Sequence, residues 1–366
     1  MKKTGFCLWN LSATDGKLVI SGTGRKSSDL LLYIGGKGRT DMKNQENLYA
    51  SIPYVDKKVS RIFAGTAFSP IQDGADGTDF FEAALANGIN AFDTARVYME
   101  AEHSFGNWLE KSGRREEVVI LSKCGHPDAM WNKRVNEKEM RKDLKKSLEE
   151  LKTDYIDIYM LHRDDPDTEV AVAVETFNAM HEEGNIGAFG ASNWTHTRIE
   201  EANEYAYKHN LIPFSVSSPN FCLARQIEDP WGGGCVNISG PENIEARAWY
   251  EKNQMPVIAY ASLGRGFFSG RMKSANADHA EDYLDSLAMK GYASPDNFER
   301  LRRCEILAEK HGVTVAQIAM SWIFSQPLNT FAIASMSKAD RMKANMEALS
   351  LELSEEETAW LAMGNA

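Results

Sequence analysis

The chain has 366 residues, 43% of them hydrophobic, enough to fill the core of one large α/β barrel with additions. A formal net charge of −11 and an isoelectric point near 5.3 leave no basic surplus for nucleic acid or anionic lipid. The five cysteines (Cys7, Cys124, Cys222, Cys235 and Cys304) are scattered, odd in number and without a CxxC pair, which excludes a disulfide framework and a zinc-finger pattern. They read as free thiols of a reducing compartment, and the expected location is the cytoplasm.

The first 57 residues stand apart from the rest. Their opening apolar stretch is broken by Asn10, Ser12 and Asp15, a poor match to a signal peptide. No run in the chain approaches the ~20 apolar residues of a membrane span. The segment GKLVISGTGRKSSDLLLYIGGKGR has glycine-rich turns and predicts one or two hairpins, so residues 1–57 are expected to form a hairpin-like extension. Its GTGRKSS lacks the GxxxxGK[ST] spacing of a phosphate loop.

Over residues 58–366 short apolar runs alternate with amphipathic segments. VSRIFAG, GINAFD, EVVILSK, YIDIYML, IGAFGAS, PFSVSS, PVIAYAS and TFAIAS read as buried strands. TDFFEAALANG, EKEMRKDLKKSLEELK, EVAVAVETFNAMHEEG and THTRIEEANEYAYKHN read as helices between them, with apolar positions three and four apart. Strand, helix, strand in this order means parallel strands with helical crossovers, and about eight of them predict a closed α/β barrel rather than an open sheet. The glycine fingerprint of a doubly wound dinucleotide fold is missing after the first strand of the repeat. Residues 220–241 and 264–297 are expected to be long loops, which in a compact domain are usually functional or mobile.

The last residues of several runs carry chemistry. NAFD ends at Asp93, with Tyr98 five positions on; VVILSK ends at Lys123; IDIYMLH ends at His162; GAFGASN ends in Ser192 and Asn193; VIAY ends at Tyr260. Alone, each has an ordinary explanation as a turn residue or a solvated charge. Together they set an acid, a phenol, a lysine and an imidazole on the carboxyl rim, where (β/α)8 barrels keep their active sites. A free phenol, with a pKa of ~10, is too weak an acid at neutral pH. The ammonium of Lys123 is expected to lower the pKa of Tyr98, while Asp93 keeps that lysine charged. His162 can donate a hydrogen bond that orients a carbonyl oxygen. Such a set polarises a C=O group and protonates the developing alkoxide, and the hydride must come from a nicotinamide cofactor.

From about residue 58 onward the chain resembles the aldo-keto reductase family. GINAFDTARVYMEAEHSFGNWL resembles the motif in which an Asp precedes the catalytic Tyr by five residues, VVILSKCG the strand of the catalytic Lys, and YIDIYMLHRDDP the strand of the catalytic His. The resemblance implies a (β/α)8 TIM barrel, a catalytic set of Asp93, Tyr98, Lys123 and His162, and NADP as cofactor, with NAD as the alternative. EEGNIGAFGASNW is similar to the segment that holds the nicotinamide carboxamide, which implies Ser192 and Asn193. VIAYASLGRGFFSG implies Tyr260 stacked on the nicotinamide, and Leu263, Gly264 and Ser269 in a loop over the pyrophosphate. AIASMSKADRMKANMEAL resembles the segment at the adenosine end, which implies Arg341 for the adenine ring or the 2′-phosphate, Asn345 for the adenine, Lys338 as a second cation for a 2′-phosphate, and Ser335 and Ser337 among the cofactor contacts.

The chain departs from the family pattern in three places. FSVSSPNFC offers Ser217 or Ser218 where a Gln usually contacts the carboxamide, and Ser217 is assigned that contact. The proline-bearing start of the adenosine segment is Ala334, Ser335 and Met336. The extension exceeds the family's short bottom hairpin.

The expected activity is reduction of an aldehyde or ketone, with sugars and keto-sugars among the candidates, by hydride transfer with Tyr98 as general acid. The alternative is a cofactor-binding regulatory or sensor protein of the same fold, similar to the β subunits of potassium channels. A metal-assisted hydrolase built on His126, His162, Asp164 and Asp165 lacks HxH or HxxxH spacing, and no metal is expected. The expected partner is a small carbonyl compound, with neither nucleic acid nor a membrane. Trp131, Trp194 and Trp231 are the expected substrate contacts, and DPWGGGC reads as a mobile flap with an aromatic at its hinge.

Overall fold

The computed structural model describes residues 10–14, 17–21 and 47–364. The chain divides into two compact units, Met1–Met42 and Lys43–Ala366. In the first, β1 (Asn10–Thr14) and β2 (Lys17–Ser21) pair antiparallel with Thr14 opposite Lys17, which leaves Asp15 and Gly16 between them. A hairpin is therefore present in the extension, and it starts before the GKLVIS stretch. The GTGRKSS stretch lies outside the described residues.

The second unit opens with a short antiparallel pair, β3 (Tyr49–Ala50) and β4 (Val59–Ser60). The boundary expected at 57/58 falls inside this pair. Ile52 and Val59 join the buried cluster inside the barrel, and Ser60 Oγ accepts from the Asn90 and Ala91 amides where the next strand begins. The pair therefore closes the amino-terminal end.

Eight strands then form a closed parallel barrel in sequential order. They are β5 (Ile62–Gly65), β6 (Ala91–Asp93), β7 (Val119–Cys124), β8 (Ile156–Leu161), β9 (Ile186–Ser192), β10 (Val216–Ser218), β11 (Val257–Ala259) and β12 (Thr330–Ala334). Crossover helices follow the first six strands in turn: α1 (Thr78–Ala86), α2 (Ala101–Ser112), α3 (Glu137–Leu151), α4 (Val170–Glu182), α5 (His196–Lys208) and α6 (Ile244–Asn253). After β11 come α7 (Ser286–Tyr292), α8 (Pro295–His311) and α9 (Val315–Phe324), and after β12 come α10 (Ala339–Glu347) and α11 (Glu355–Met363). Several of these helices begin where a side chain takes up an orphan amide. Asn136 accepts from Glu139 before α3, Thr195 from Arg198 before α5, and Thr314 forms a capping box with Gln317.

The long loop expected over residues 264–297 is thus partly helical. It holds a 3-10 stretch (Ser274–Asp282) and α7, because Asp285 caps α7 at the Ala288 amide. At its end α8 has already begun, with Ser294 as its cap and Pro295 in its first turn. Residues 220–240 remain irregular, tied to the barrel through Asn220, which bridges to Asn237 and Tyr260.

Side chains alternate along each strand. Val119 and Leu121, Ile158 and Met160, Ala188, Val216, Ile258 and Phe331 fill the barrel, while Phe92, Ile120, Tyr159, Phe189 and Val257 pack under the helices. Each fully buried Val, Leu, Ile or Phe stabilises the fold by about 1.5–3 kcal/mol. Helices also approach closely where the sequence permits. A Cβ on Gly106 of α2 would lie 1.9 Å from the Glu150 carbonyl of α3, so only glycine fits there. The same alternation fixes the upper layer of the barrel. Two positions past an inward residue come Asp93, Lys123, His162, Ser192, Ser218 and Tyr260. No helix among the described residues is long and apolar enough to cross a membrane.

Candidate active site

Asp93 and Lys123 are both buried, and the ammonium of Lys123 donates to the Asp93 carboxylate and to the Thr94 carbonyl at 2.9 Å. The turn after β6 brings Tyr98 back over this pair, with Lys123 Nζ 5.1 Å from the centre of its ring. His162 stands edge-on to the same ring at 5.6 Å. The four residues expected from the strand ends therefore converge at one point of the mouth.

Electrostatics separate their roles. Burial works against the charge of Lys123, but Asp93 and Tyr98 outweigh it and hold the lysine above its ordinary pKa. Burial, with Lys123, His126 and Arg163 nearby, pushes His162 well below its ordinary 6.5, so its imidazole is neutral at neutral pH. The expected lowering of Tyr98 is not what the site produces. Burial raises the phenol above 10.0, and Lys123 pulls it back only in part. Tyr98 thus keeps its proton at neutral pH, the form a general acid needs, and Lys123 is placed to stabilise the phenolate left after the proton departs.

One supporting residue escaped the sequence reading. Glu102, 1% exposed in the first turn of α2, accepts from Arg96 and, at 2.6 Å, from Ser122 Oγ. Arg96 lies in the turn that carries Tyr98, and Ser122 precedes Lys123. Glu102 therefore fastens the phenol's loop to the lysine's strand. Its signal was present as a carboxylate among small and apolar neighbours at the start of a helix. The stretch EAEHSFGNWL reads first as an ordinary crossover helix.

The residues assigned to a cofactor fall into three groups. Ser192 donates to the Ser218 carbonyl at 2.8 Å, and Asn193, held at a positive φ of 62°, donates to the His162 carbonyl at 3.0 Å. Tyr260 OH and the Val236 amide both donate to Asn193 Oδ1, at 2.8 and 3.1 Å. These groups share one side of the mouth. Leu263, Gly264 and Ser269 sit in a tight turn after β11, where Gly264 and Gly266 have positive φ. Ser335, Ser337, Lys338 and Arg341 are exposed around the start of α10, where Lys338 supplies no side-chain cap and the Asp340 carboxylate accepts from the Arg341 amide at 2.9 Å. Asn345 is buried and donates to Met336 Sδ at 2.9 Å.

Two assigned contacts are corrected, Ser217 by the alternation and Trp194 by its burial. Ser217 follows the inward Val216 and therefore points outward, where its hydroxyl meets Tyr250 OH of α6 at 2.7 Å. Ser218 is the residue that faces the barrel. Trp194 is 1% exposed and packs on Phe214 at 5.5 Å under the Arg198 guanidinium at 5.0 Å, on the helical side of the sheet. It cannot line the mouth. Trp131 is exposed and near His126, and Trp231 stands edge-on to Tyr260 at 5.4 Å. These two flank the opening. Trp131 also abuts Gly232 of the DPWGGGC stretch, where an added Cβ would meet its ring at 3.0 Å. Of the metal candidates, His126 and His162 touch at 5.1 Å, but Asp165 is tied to Lys133. Among the described residues no three His, Cys, Asp or Glu side chains converge to hold a metal.

The model of the aldo/keto reductase family matches residues 72–362. Protein tas of Escherichia coli is 28% identical over 343 residues, covering 84% of this chain and 94% of that one. A probable voltage-gated potassium channel subunit beta of Oryza sativa is 25% identical over 80% of this chain and 88% of its own length. Among solved structures, the glycerol dehydrogenase AKR11B4 from Gluconobacter oxydans superposes with a TM-score of 0.69 at 22% identity, covering 87% of this chain and 97% of that one.

Proposed function

Because the chain belongs to the aldo/keto reductase family, we propose that it reduces a small aldehyde or ketone with NADPH, Tyr98 acting as the general acid. The observation that carries this is the charged Lys123, held by Asp93 beneath the ring of a protonated Tyr98 and beside a neutral His162.

The upper rim suits a nicotinamide dinucleotide. Ser192, Asn193 and Ser218 line the side of the mouth that a carboxamide would take, Tyr260 offers a ring face, and the exposed cations Lys338 and Arg341 at the start of α10 suit a 2′-phosphate. A nicotinamide bound there supplies the hydride. The chain's own residues do the rest. His162, neutral and therefore able to donate from one ring nitrogen, orients the carbonyl oxygen. Tyr98 gives its proton to the oxygen as negative charge develops, and Lys123 stabilises the resulting phenolate.

The test is Tyr98→Phe against a panel of aldehydes, ketones and sugars with NADPH and NADH. Turnover is expected to fall by about 10²–10⁴-fold while NADPH affinity stays within about twofold. Wild-type turnover in the variant would contradict the role of Tyr98. The likeness to a potassium-channel β subunit favours a second reading, a sensor that oxidises its bound NADPH once and shows no steady-state rate on the panel.

A further inference from the structure

Arg163 follows His162 at the end of β8 and is 8% exposed. Of the two arginines this deeply buried, Arg303 has Glu299 within 3.7 Å, whereas Arg163 has no carboxylate partner among the described residues. Its Nη1 donates to the Gly233 carbonyl at 3.2 Å and to Cys235 Sγ at 2.6 Å, and its Nη2 reaches the Trp231 carbonyl only at 3.4 Å. Its Nε is enclosed and has no partner. The nearby acid, Asp229, spends its oxygens on the Trp231 and Cys235 amides at 2.8 and 3.0 Å.

A guanidinium removed from water without a counter-ion is costly. The donors left over here are Nε–H and one of the two N–H groups of Nη2. A substrate carboxylate that displaces the backbone cover over that edge would meet it through two parallel hydrogen bonds. The edge lies beside the catalytic mouth: Arg163 directly follows His162, whose ring meets Tyr98, and it holds the carbonyl of Trp231, whose ring stands on Tyr260. The cover is peptide backbone rather than side chain: Gly232, Gly233 and Gly234 all have positive φ, at 89°, 98° and 74°, a run that only glycine adopts without strain.

We propose that Arg163 is a specificity-determining residue that binds a carboxylate of the substrate, so that oxo-acids and carboxylated aldehydes are preferred over neutral carbonyl compounds. This rests on the reductase reading above and names the substrate class of the same site.

The experiment compares kcat/KM with NADPH for 4-carboxybenzaldehyde against methyl 4-formylbenzoate, and for succinic semialdehyde against butanal. Wild-type protein is expected to favour the anionic member of each pair by about 10–100-fold, the range of a charge-assisted hydrogen-bond pair. In Arg163→Gln the ratio falls to within about twofold of unity, and Arg163→Lys, which keeps the charge but not the fork, falls between. Equal rates on both members in the wild type, or an undiminished ratio in either variant, overturns the inference and leaves the reductase reading standing. Absence of turnover on all four compounds overturns the reductase reading, and the inference with it. The wild-type comparison decides even if a variant fails to fold.

Discussion

Burial widens the pH range over which Tyr98 and His162 stay uncharged. Burial keeps the phenol protonated above 10.0 and the imidazole neutral well below 6.5. Reduction should therefore hold a level kcat/KM between about pH 7 and pH 9 and decline only as the phenol begins to ionise. A decline centred near neutrality would contradict this. The four reactive residues were legible because each sits at or just past the end of an apolar run, where barrel strands deliver side chains to the mouth. Ser217 was misread because the two neighbouring serines are equivalent as letters. Only the inward placement of Val216 decides which of them faces the barrel. Trp194 was misread because a tryptophan one residue past the rim turns under α5 as readily as over the substrate. Arg163 carries no assignment from the sequence, since nothing in HRDDPD tells which of its acids are already engaged.

At the scale of elements, the turn between β6 and α2 is the working part, and Glu102 ties it down. Glu102→Gln keeps the shape but removes the charge that holds Arg96. It is expected to lower kcat by about 10–100-fold through misplacement of Tyr98 while leaving NADPH affinity unchanged. An unaltered kcat would show that the loop is fixed without it. The exposed cations at the start of α10 make a second case. Replacing both Lys338 and Arg341 by Ala should raise the KM for NADPH about tenfold or more and change that for NADH by less than about twofold. Equal effects on both cofactors would contradict a 2′-phosphate contact there. The strands and the four helices named between them were readable from apolar periodicity, the helix ends falling within two residues of those observed. The stretch after β11 was not, because α7 is short and α7 and α8 are both preceded by polar caps, Asp285 and Ser294, that read equally well as loop.

For the whole molecule, the amino-terminal end of the barrel is closed by charge as well as by Ile52 and Val59. Asp157 of β8 is fully buried, accepts from Lys57 at 2.9 Å, from Tyr155 OH and from the Ile120 amide at 2.9 Å, and is ion-paired with Arg115 at 2.9 Å. Asp157→Ala strands two cations there and should cost about 3–5 kcal/mol, seen as a Tm lower by several degrees. Acid acts on the other end. His162 and His126 both have folded pKa values below 6.5, so below that pH the unfolded chain takes up protons first. Stability is full above about pH 6.5 and is lost as pH falls through the depressed values. His126→Gln should flatten this acid limb in urea melts, and an unchanged limb would contradict it. The chain's claim to be a reductase is tested most directly by following the hydride itself. With NADPH deuterated at both positions of nicotinamide C4, each molecule of cofactor consumed should leave one deuterium on the carbinol carbon of the product alcohol. Alcohol formed without deuterium, or NADPH consumed without alcohol, would contradict that claim.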